Sequence, residues 1–440
     1  MEQETLTVVA RIQEVDRLRC ALRRIEDEVR EARRSHDPLH EFPFDALEKL
    51  HFARLVIVED TASAPTLEPR LVLATDFDGT REDHLAELVA RAEKALDQVF
   101  GCCRGYPSSG SRADKVEFLR NHSVEPICTY RGHPGRSVGQ IRLEEQLRKE
   151  LEDVLDRLDA RAARDPWSEC RRQVEGPGSA FRWALSPAPP TRLTRAEKWW
   201  LRARTLWGLR GDLFRVLRDL PILLAAERTD GDAFVRRERD RGRDGSAMQR
   251  RKDAAALRRA LEEREGRCVQ NELTSVTEIR PETFRRRALE VMLRIANLRA
   301  RTRFDRGDLA GIPSIHFARW VILEHAADEP KRDRLLFLTN YDGSWESYLG
   351  DFIDQAADRL TAIWGHTRHF PPTRRIFLGG AHHEALFKRF VREHQLAAQV
   401  WYAAYPDLSV QNVNRNSELR LGLGAGAPTP EERLRWLDLF

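Results

Sequence analysis

The chain has 440 residues, 41% of them hydrophobic and 33% charged, with a formal net charge of only +4. That length exceeds what one hydrophobic core usually spans, so two folded units are expected. The near-balance of charge excludes one large basic field, and with it any electrostatic demand for nucleic acid.

Residues 1–38 place acids near the start and apolar residues at helical spacing, which predicts an N-terminal helix and not the basic-then-apolar layout of an export signal. Six cysteines, at positions 20, 102, 103, 128, 170 and 268, show no CxxC spacing, so neither a disulfide framework nor a thiolate zinc site is indicated. A reducing cytoplasm fits this usage.

Residues 39–163 read as a first α+β unit. LVIVE and LVLAT are short β-branched runs separated by turn residues, hence a strand pair. HLAELVARAEKALDQVF carries a 3.6-residue apolar period, and a second helix (KVEFLRNH) precedes a strand (VEPICTYRG).

Residues 164–300 read as an insert. A Pro-, Gly- and Ser-rich linker begins at Asp165 and leads to a stretch in which Trp199, Trp200, Trp207, Leu213, Phe214 and Leu217 alternate with arginine. Its longest apolar run, Leu220–Ala226, is too short to span a bilayer. Such a helix either bridges to a domain core or lies in an anionic lipid interface through Trp199, Trp200 and Trp207. The almost wholly charged stretch from Phe234 predicts a mobile loop and a solvated helix.

Residues 301–420 read as a second α+β unit and 421–440 as a tail. HFARLVIVED from His51 matches HFARWVILEH from His316 at seven of ten positions. LVLATDFDGT from Leu71 lies over LLFLTNYDGS from Leu335, and YRGHPGRSVGQI from Tyr130 over YAAYPDLSVQNV from Tyr402. Self-similarity in preserved order predicts duplication and fusion. The expected fold class is α+β: two α/β sandwich repeats related by pseudo-twofold symmetry, with a helical insert.

Polar residues that recur in both copies are the candidate chemistry. His316 opens one strand, Arg319 follows on the opposite face of a regular strand, and Asn340 and Asp342 close the next; His51, Arg54, Asp76 and Asp78 occupy the matching places. They form either a buried network or the floor of a shared site. His316, Arg319, Asn340 and Asp342 are the candidate catalytic residues. His366, His369, Tyr405, Gln411 and Asn412 are the candidate cofactor-binding residues, because the second copy alone carries the HxxH group and the Gln-Asn pair. Asp-Gly at 78–79 and 342–343 also has a turn reading, Asp accepting backbone N–H bonds ahead of a helix and Gly relieving strain. No metal site is assigned. GxGxxG after a strand, GxxxxGK[ST], GxSxG and HExxH are all missing.

The tandem pattern resembles the ferredoxin-like units of the dimeric α/β-barrel superfamily and similar bacterial tandem-repeat proteins. The TDFDG and TNYDG segments resemble the GxxDG motif of dye-decolourising peroxidases without its first glycine, with Asp78 or Asp342 matching the distal Asp. That resemblance implies haem as cofactor and a peroxidase-like redox reaction on a small hydrophobic substrate. The alternative expectation is a non-catalytic protein that binds a ligand or partner at the inner face of the membrane.

Overall fold

The structure, a computed structural model, describes residues 2–35, 37–59, 68–158, 165–186, 193–241, 265, 268–304, 307–376, 378–424 and 428–440. The first half runs β1 (Gln3–Arg11), α1 (Val15–Ser35), β2 (Leu50–Val58), β3 (Arg70–Asp78), α2 (Arg81–Phe100), α3 (Arg112–Asn121), β4 (Cys128–Arg131) and α4 (Val138–Asp156). α5 (Pro166–Glu175) and the long α6 (Arg195–Arg241) follow. The second half runs β5 (Gln270–Glu278), α7 (Thr283–Thr302), β6 (Ile315–Leu323), β7 (Arg334–Asp342) and α8 (Trp345–Trp364). It continues with the short β8 (Thr373–Arg374) and β9 (Leu378–Gly379), α9 (Glu384–His394), β10 (Gln395–Leu396), β11 (Val400–Ala403), α10 (Val410–Gly424) and α11 (Pro430–Leu437).

The fold is α+β with antiparallel sheets. One sheet has the order β1-β3-β2-β11 and the other β10-β5-β7-β6-β4. The halves therefore exchange strands: β4 pairs with β6, Cys128 opposite Trp320, and β11 pairs with β2, Val400 opposite Leu55.

Every residue of β2, β3 and β6 is buried, because both faces of each sheet are covered. Strand alternation sorts the side chains. Phe317, Val321, Leu336 and Leu338 join the core of the first sheet across the gap between the sheets, whereas Trp320, Ile322, Leu335 and Phe337 turn to the other face. Leu18, Leu22, Leu85 and Leu88 of α1 and α2 close the outside of the first sheet. Leu289, Leu293, Leu349 and Phe352 of α7 and α8 do so for the second. At roughly 25 cal/mol per Å² of apolar area, this four-layer burial is the main stabilising term.

The Asp-Gly pairs serve as helix starts. Gly79 (φ 100°) and Gly343 (φ 79°) take left-handed conformations that side chains resist, and Thr80 and Ser344 then cap α2 and α8 by accepting from the N–H groups of Asp83 and Ser347.

Three expectations are corrected. The N-terminal segment is not all helix: Leu6, Val8 and Ala10 alternate inward from β1, which pairs with β3, and only Val15–Ser35 is helical. Residues 270–300, assigned to the insert, supply β5 and nearly all of α7 to the second sheet and its cover. The C-terminal residues are packed, with Trp436 of α11 buried and its Nε1 donating to the Leu419 carbonyl at 2.9 Å. The loop and solvated helix expected from Phe234 onward lie mostly outside the described residues; Phe234–Arg241 continue α6.

Candidate functional site

Two polar clusters fill the space between the sheets. The first is a pair of crossed arginines. Arg54 of β2 donates to Glu272 Oε2 (3.0 Å), to the Leu273 and Thr339 carbonyls (3.1 and 2.9 Å), to Thr274 Oγ1 (3.1 Å) and to Asn340 Oδ1. Arg319 of β6 donates to the Leu6 and Thr75 carbonyls (2.7 and 3.0 Å), to Thr7 Oγ1 (3.1 Å) and to Asp76 Oδ1 (2.5 Å). Each guanidinium thus crosses to the opposite sheet and meets one carboxylate, Glu272 or Asp76. A buried charge with one partner missing would cost several kcal/mol. Burial lowers both arginines from their ordinary value, opposed by Glu272 and Asp76 at Arg54 and by Asp76 at Arg319. Asn340 Nδ2 donates to Asp76 Oδ2 at 3.2 Å and joins the two sets.

The second cluster is a chain of six side chains. Asp78 Oδ1 accepts from His51 Nε2 (3.0 Å), and His51 Nδ1 meets the Tyr405 hydroxyl (2.8 Å). That hydroxyl meets His133 Nε2 (3.2 Å), His133 Nε2 meets His316 Nδ1 (3.4 Å), and His316 Nε2 donates to Asp342 Oδ1 (2.8 Å). The second oxygen of each aspartate accepts the N–H of the first residue of a helix, Val138 of α4 (2.8 Å) and Val410 of α10 (2.7 Å). Gln3 holds the loop after β4 through Gly135 N–H and the Arg136 carbonyl, and Gln270 holds the loop after β11 through the Tyr405 and Leu408 carbonyls.

Donor counting places the protons. With Asp78 and Asp342 as acceptors, His51 and His316 carry hydrogen on Nε2 and accept on Nδ1. Tyr405 then donates to His51, and His133 donates from Nε2 towards the Tyr405 oxygen and His316. His133 Nδ1 has no hydrogen-bond partner among the described residues. Burial, reinforced by His316, His51 and Arg136, holds His133 well below the usual imidazole range. Burial together with Asp78, Asp76 and Asp342 pushes the Tyr405 phenol well above its own.

Of the candidate catalytic residues, His316 and Asp342 bond to each other and Arg319 and Asn340 lie in the arginine cluster. A regular strand would turn His51 and Arg54 to opposite faces. A register shift between Leu50 and Phe52 instead leaves His51 facing the other sheet, its ring 5.2 Å from Phe317. Of the candidate cofactor residues only Tyr405 joins the chain. Gln411 is exposed on α10, and Asn412 is spent on Ser409, whose N–H and hydroxyl it accepts at 3.1 and 2.5 Å. His366 and His369 lie elsewhere. The His366 carbonyl takes the N–H of Arg280, beyond the far end of β5 from the Gln270–Asp342 pairing, which is roughly 30 Å away at strand rise. His366 is buried, and that burial, with Arg285 and Arg280 beside it, lowers it to about 3. Among the described residues no group of three or more His, Cys, Asp or Glu is arranged to hold a metal ion.

His133 and Gln3 escaped the sequence reading. The aligned YRGHP and YAAYP segments did place His133 opposite Tyr405, and that was the available signal.

An apolar cavity beside Leu273, Phe337 and Tyr348 measures about 20 Å³, no more than the room of one water. A cleft of about 470 Å³ lies by Val9, Arg70, His122, Arg286 and Glu324, towards the other ends of the strands. No family model, curated protein or solved structure matches the chain.

Proposed function

We propose that this is a non-catalytic, membrane-peripheral protein that rests on an anionic lipid surface through α6. The carrying observation is the orientation of that helix. Four of its acidic residues face the protein: Asp212 meets Arg294 (3.4 Å), Asp219 meets Arg287 (3.0 Å), Asp230 meets Arg280 (2.7 Å) and Arg285, and Glu238 meets Arg389 (2.7 Å). Glu227 accepts from the Arg375 and Ile376 N–H groups and from Thr373 Oγ1. The aromatic residues face away. Trp199 and Trp207 are each 71% exposed and Phe214 68%, with Trp200, Leu217 and Ile222 also exposed. Trp200, Trp207 and Phe214 repeat every seven residues, which is nearly two turns and therefore one stripe.

Charge decides the occupant. Residues 195–218 hold seven basic and two acidic side chains. Of the acids, Asp212 is turned to Arg294 and Glu197 accepts from the Thr194 N–H and hydroxyl at 2.7 Å. The outward stripe is thus aromatic and cationic, with Arg204 stacked on Trp200 and Arg210 on Trp207. Indole at the boundary and arginine on headgroups is the chemistry of interfacial helices, each arginine contributing about 1 kcal/mol. A second copy would present the same positive stripe and be repelled. No helix among the described residues is long and apolar enough to cross a membrane.

The finer fold reading supports this role as a scaffold. Both halves run strand, helix, strand, strand, helix, helix, strand, helix, apart from the short β8–β10 pieces, and the arginine and histidine clusters recur with matching partners. We infer two fused ferredoxin-like repeats about a pseudo-twofold axis.

A haem site does not fit these residues. Asp78 and Asp342, which match the distal Asp, have both oxygens committed to a histidine and a helix N-terminus, and neither lines a described cavity.

Co-sedimentation of the full chain with phosphatidylglycerol vesicles at low salt tests the reading. Binding should exceed that to phosphatidylcholine, weaken as salt screens it, and fall at least tenfold in Trp199→Ala/Trp200→Ala/Trp207→Ala. Equal recovery with both lipids, or a lipid-independent dimer lost in the same variant, contradicts it.

A further inference from the structure

The six-residue chain has no place for another proton. Its neutral arrangement uses three ring hydrogens and one phenol hydrogen, each directed at an acceptor. A proton on His316 or His51 can be accommodated only if His133 Nε2 becomes an acceptor. Its hydrogen then moves to Nδ1, which has no partner among the described residues. A proton on His133 itself puts hydrogen on the same nitrogen. Any other placement sets two donors within the chain of six against each other. A buried donor or charge left without a partner is strongly unfavourable.

Of the groups facing His133, only its own backbone favours a charged ring, and burial outweighs it. His51 comes from β2, His316 from β6, Arg136 from its own loop and Tyr405 from the loop after β11. Asp78 and Asp342 stand behind His51 and His316 and are already saturated by helix N–H groups.

The location gives this chain its leverage. His133 and Tyr405 sit immediately after β4 and β11, the two exchanged strands. The Gly132 N–H donates to the His316 carbonyl (2.7 Å) and the Ala404 N–H to that of His51 (2.9 Å). The same residues therefore seat each exchanged strand on the other half's sheet.

We propose that the chain from Asp78 through His51, Tyr405, His133 and His316 to Asp342 is a proton-operated latch: taking up one proton in mild acid loosens the seating of β4 and β11. The closed latch requires neutral His133, and the open form binds the proton. Opening then rises tenfold per pH unit once the pH is below the ordinary imidazole value of about 6.5. This stands independently of lipid binding.

Hydrogen exchange of the full chain, corrected for intrinsic rates, tests it. Between pH 6.5 and 5.5, protection in segments 128–142 and 400–413 should fall about fivefold, and it should not fall in His133→Gln, whose amide can still donate to Tyr405. An unchanged wild-type protection, or the same fall in the variant, overturns the proposal. Should His133→Gln not fold, ring 15N shifts of the native chain decide. The His133 ring should protonate only as that protection is lost, and an ordinary titration with protection intact overturns the latch.

Discussion

Arg54 and Arg319 each draw their partners from the opposite sheet. Where β3 carries Asp76, β7 carries Asn340, and where β1 carries Thr5, β5 carries Glu272. The exchange of acid for amide on one strand is offset on the next, so each buried guanidinium keeps one carboxylate. Asn340→Asp would set a second carboxylate against Asp76 and remove the Nδ2 donor. It should cost on the order of 3 kcal/mol in denaturant unfolding, and adding Glu272→Gln should restore part of that, the coupling being read from the double-mutant cycle. Histidines set the pH response. Burial lowers His84 and His366 to about 3, and His133 is also held low. Because the unfolded chain takes up these protons first, their contribution is present above about pH 6.5 and lost as pH falls below it. Each buried histidine should contribute up to ~1.4 kcal/mol per pH unit; urea midpoints that stay level between pH 7 and 5 contradict this. The sequence marked His51, Arg54, His316 and Arg319 because each recurs. It did not mark Gln3 or His133 as partners, because their proximity is created by strand exchange, which no local pattern encodes.

Among the elements, those built on apolar period were legible: β2, β3, β6, β7, α2 and α8 fall where their patterns put them. β5 was not. Seven of its nine residues are polar, and four of them are tolerated in a buried strand because Arg54 takes Glu272 and Thr274, the Tyr405 and Leu408 carbonyls accept from Gln270, and the Gly343 carbonyl accepts from Asn271. β1 was absorbed into the helix beyond it, since its two-residue alternation spans only one short strand before the 3.6-residue period begins. α6 is the reverse case of an amphipathic helix, held to the protein by ion pairs with aromatics outside. Asp212→Asn/Asp219→Asn/Asp230→Asn should loosen it by roughly 2 kcal/mol at the strength of partly exposed pairs, or ~30-fold in amide exchange over 195–230. Exchange there that matches the native chain contradicts this account of how α6 is held.

At the scale of the molecule, strand exchange makes each sheet depend on both halves. Neither sheet is complete without β4 or β11, and the core of the first sheet includes Phe317, Val321, Leu336 and Leu338 from the second half. Unfolding should therefore be one cooperative transition followed alike by circular dichroism and by buried-tryptophan fluorescence. Leu22→Ala in α1 and Leu289→Ala in α7 should each shift that same transition, by 2–5 kcal/mol as large-to-small core changes do. Two separable transitions, each moved by one variant only, would show independent halves. The central claim is that the outward stripe of α6 meets anionic lipid. Tryptophan fluorescence of the intact protein on phosphatidylglycerol vesicles doped with brominated lipid measures this most directly. Quenching of Trp199, Trp200 and Trp207 that disappears at high salt is the predicted result, and emission unchanged by brominated lipid would contradict it.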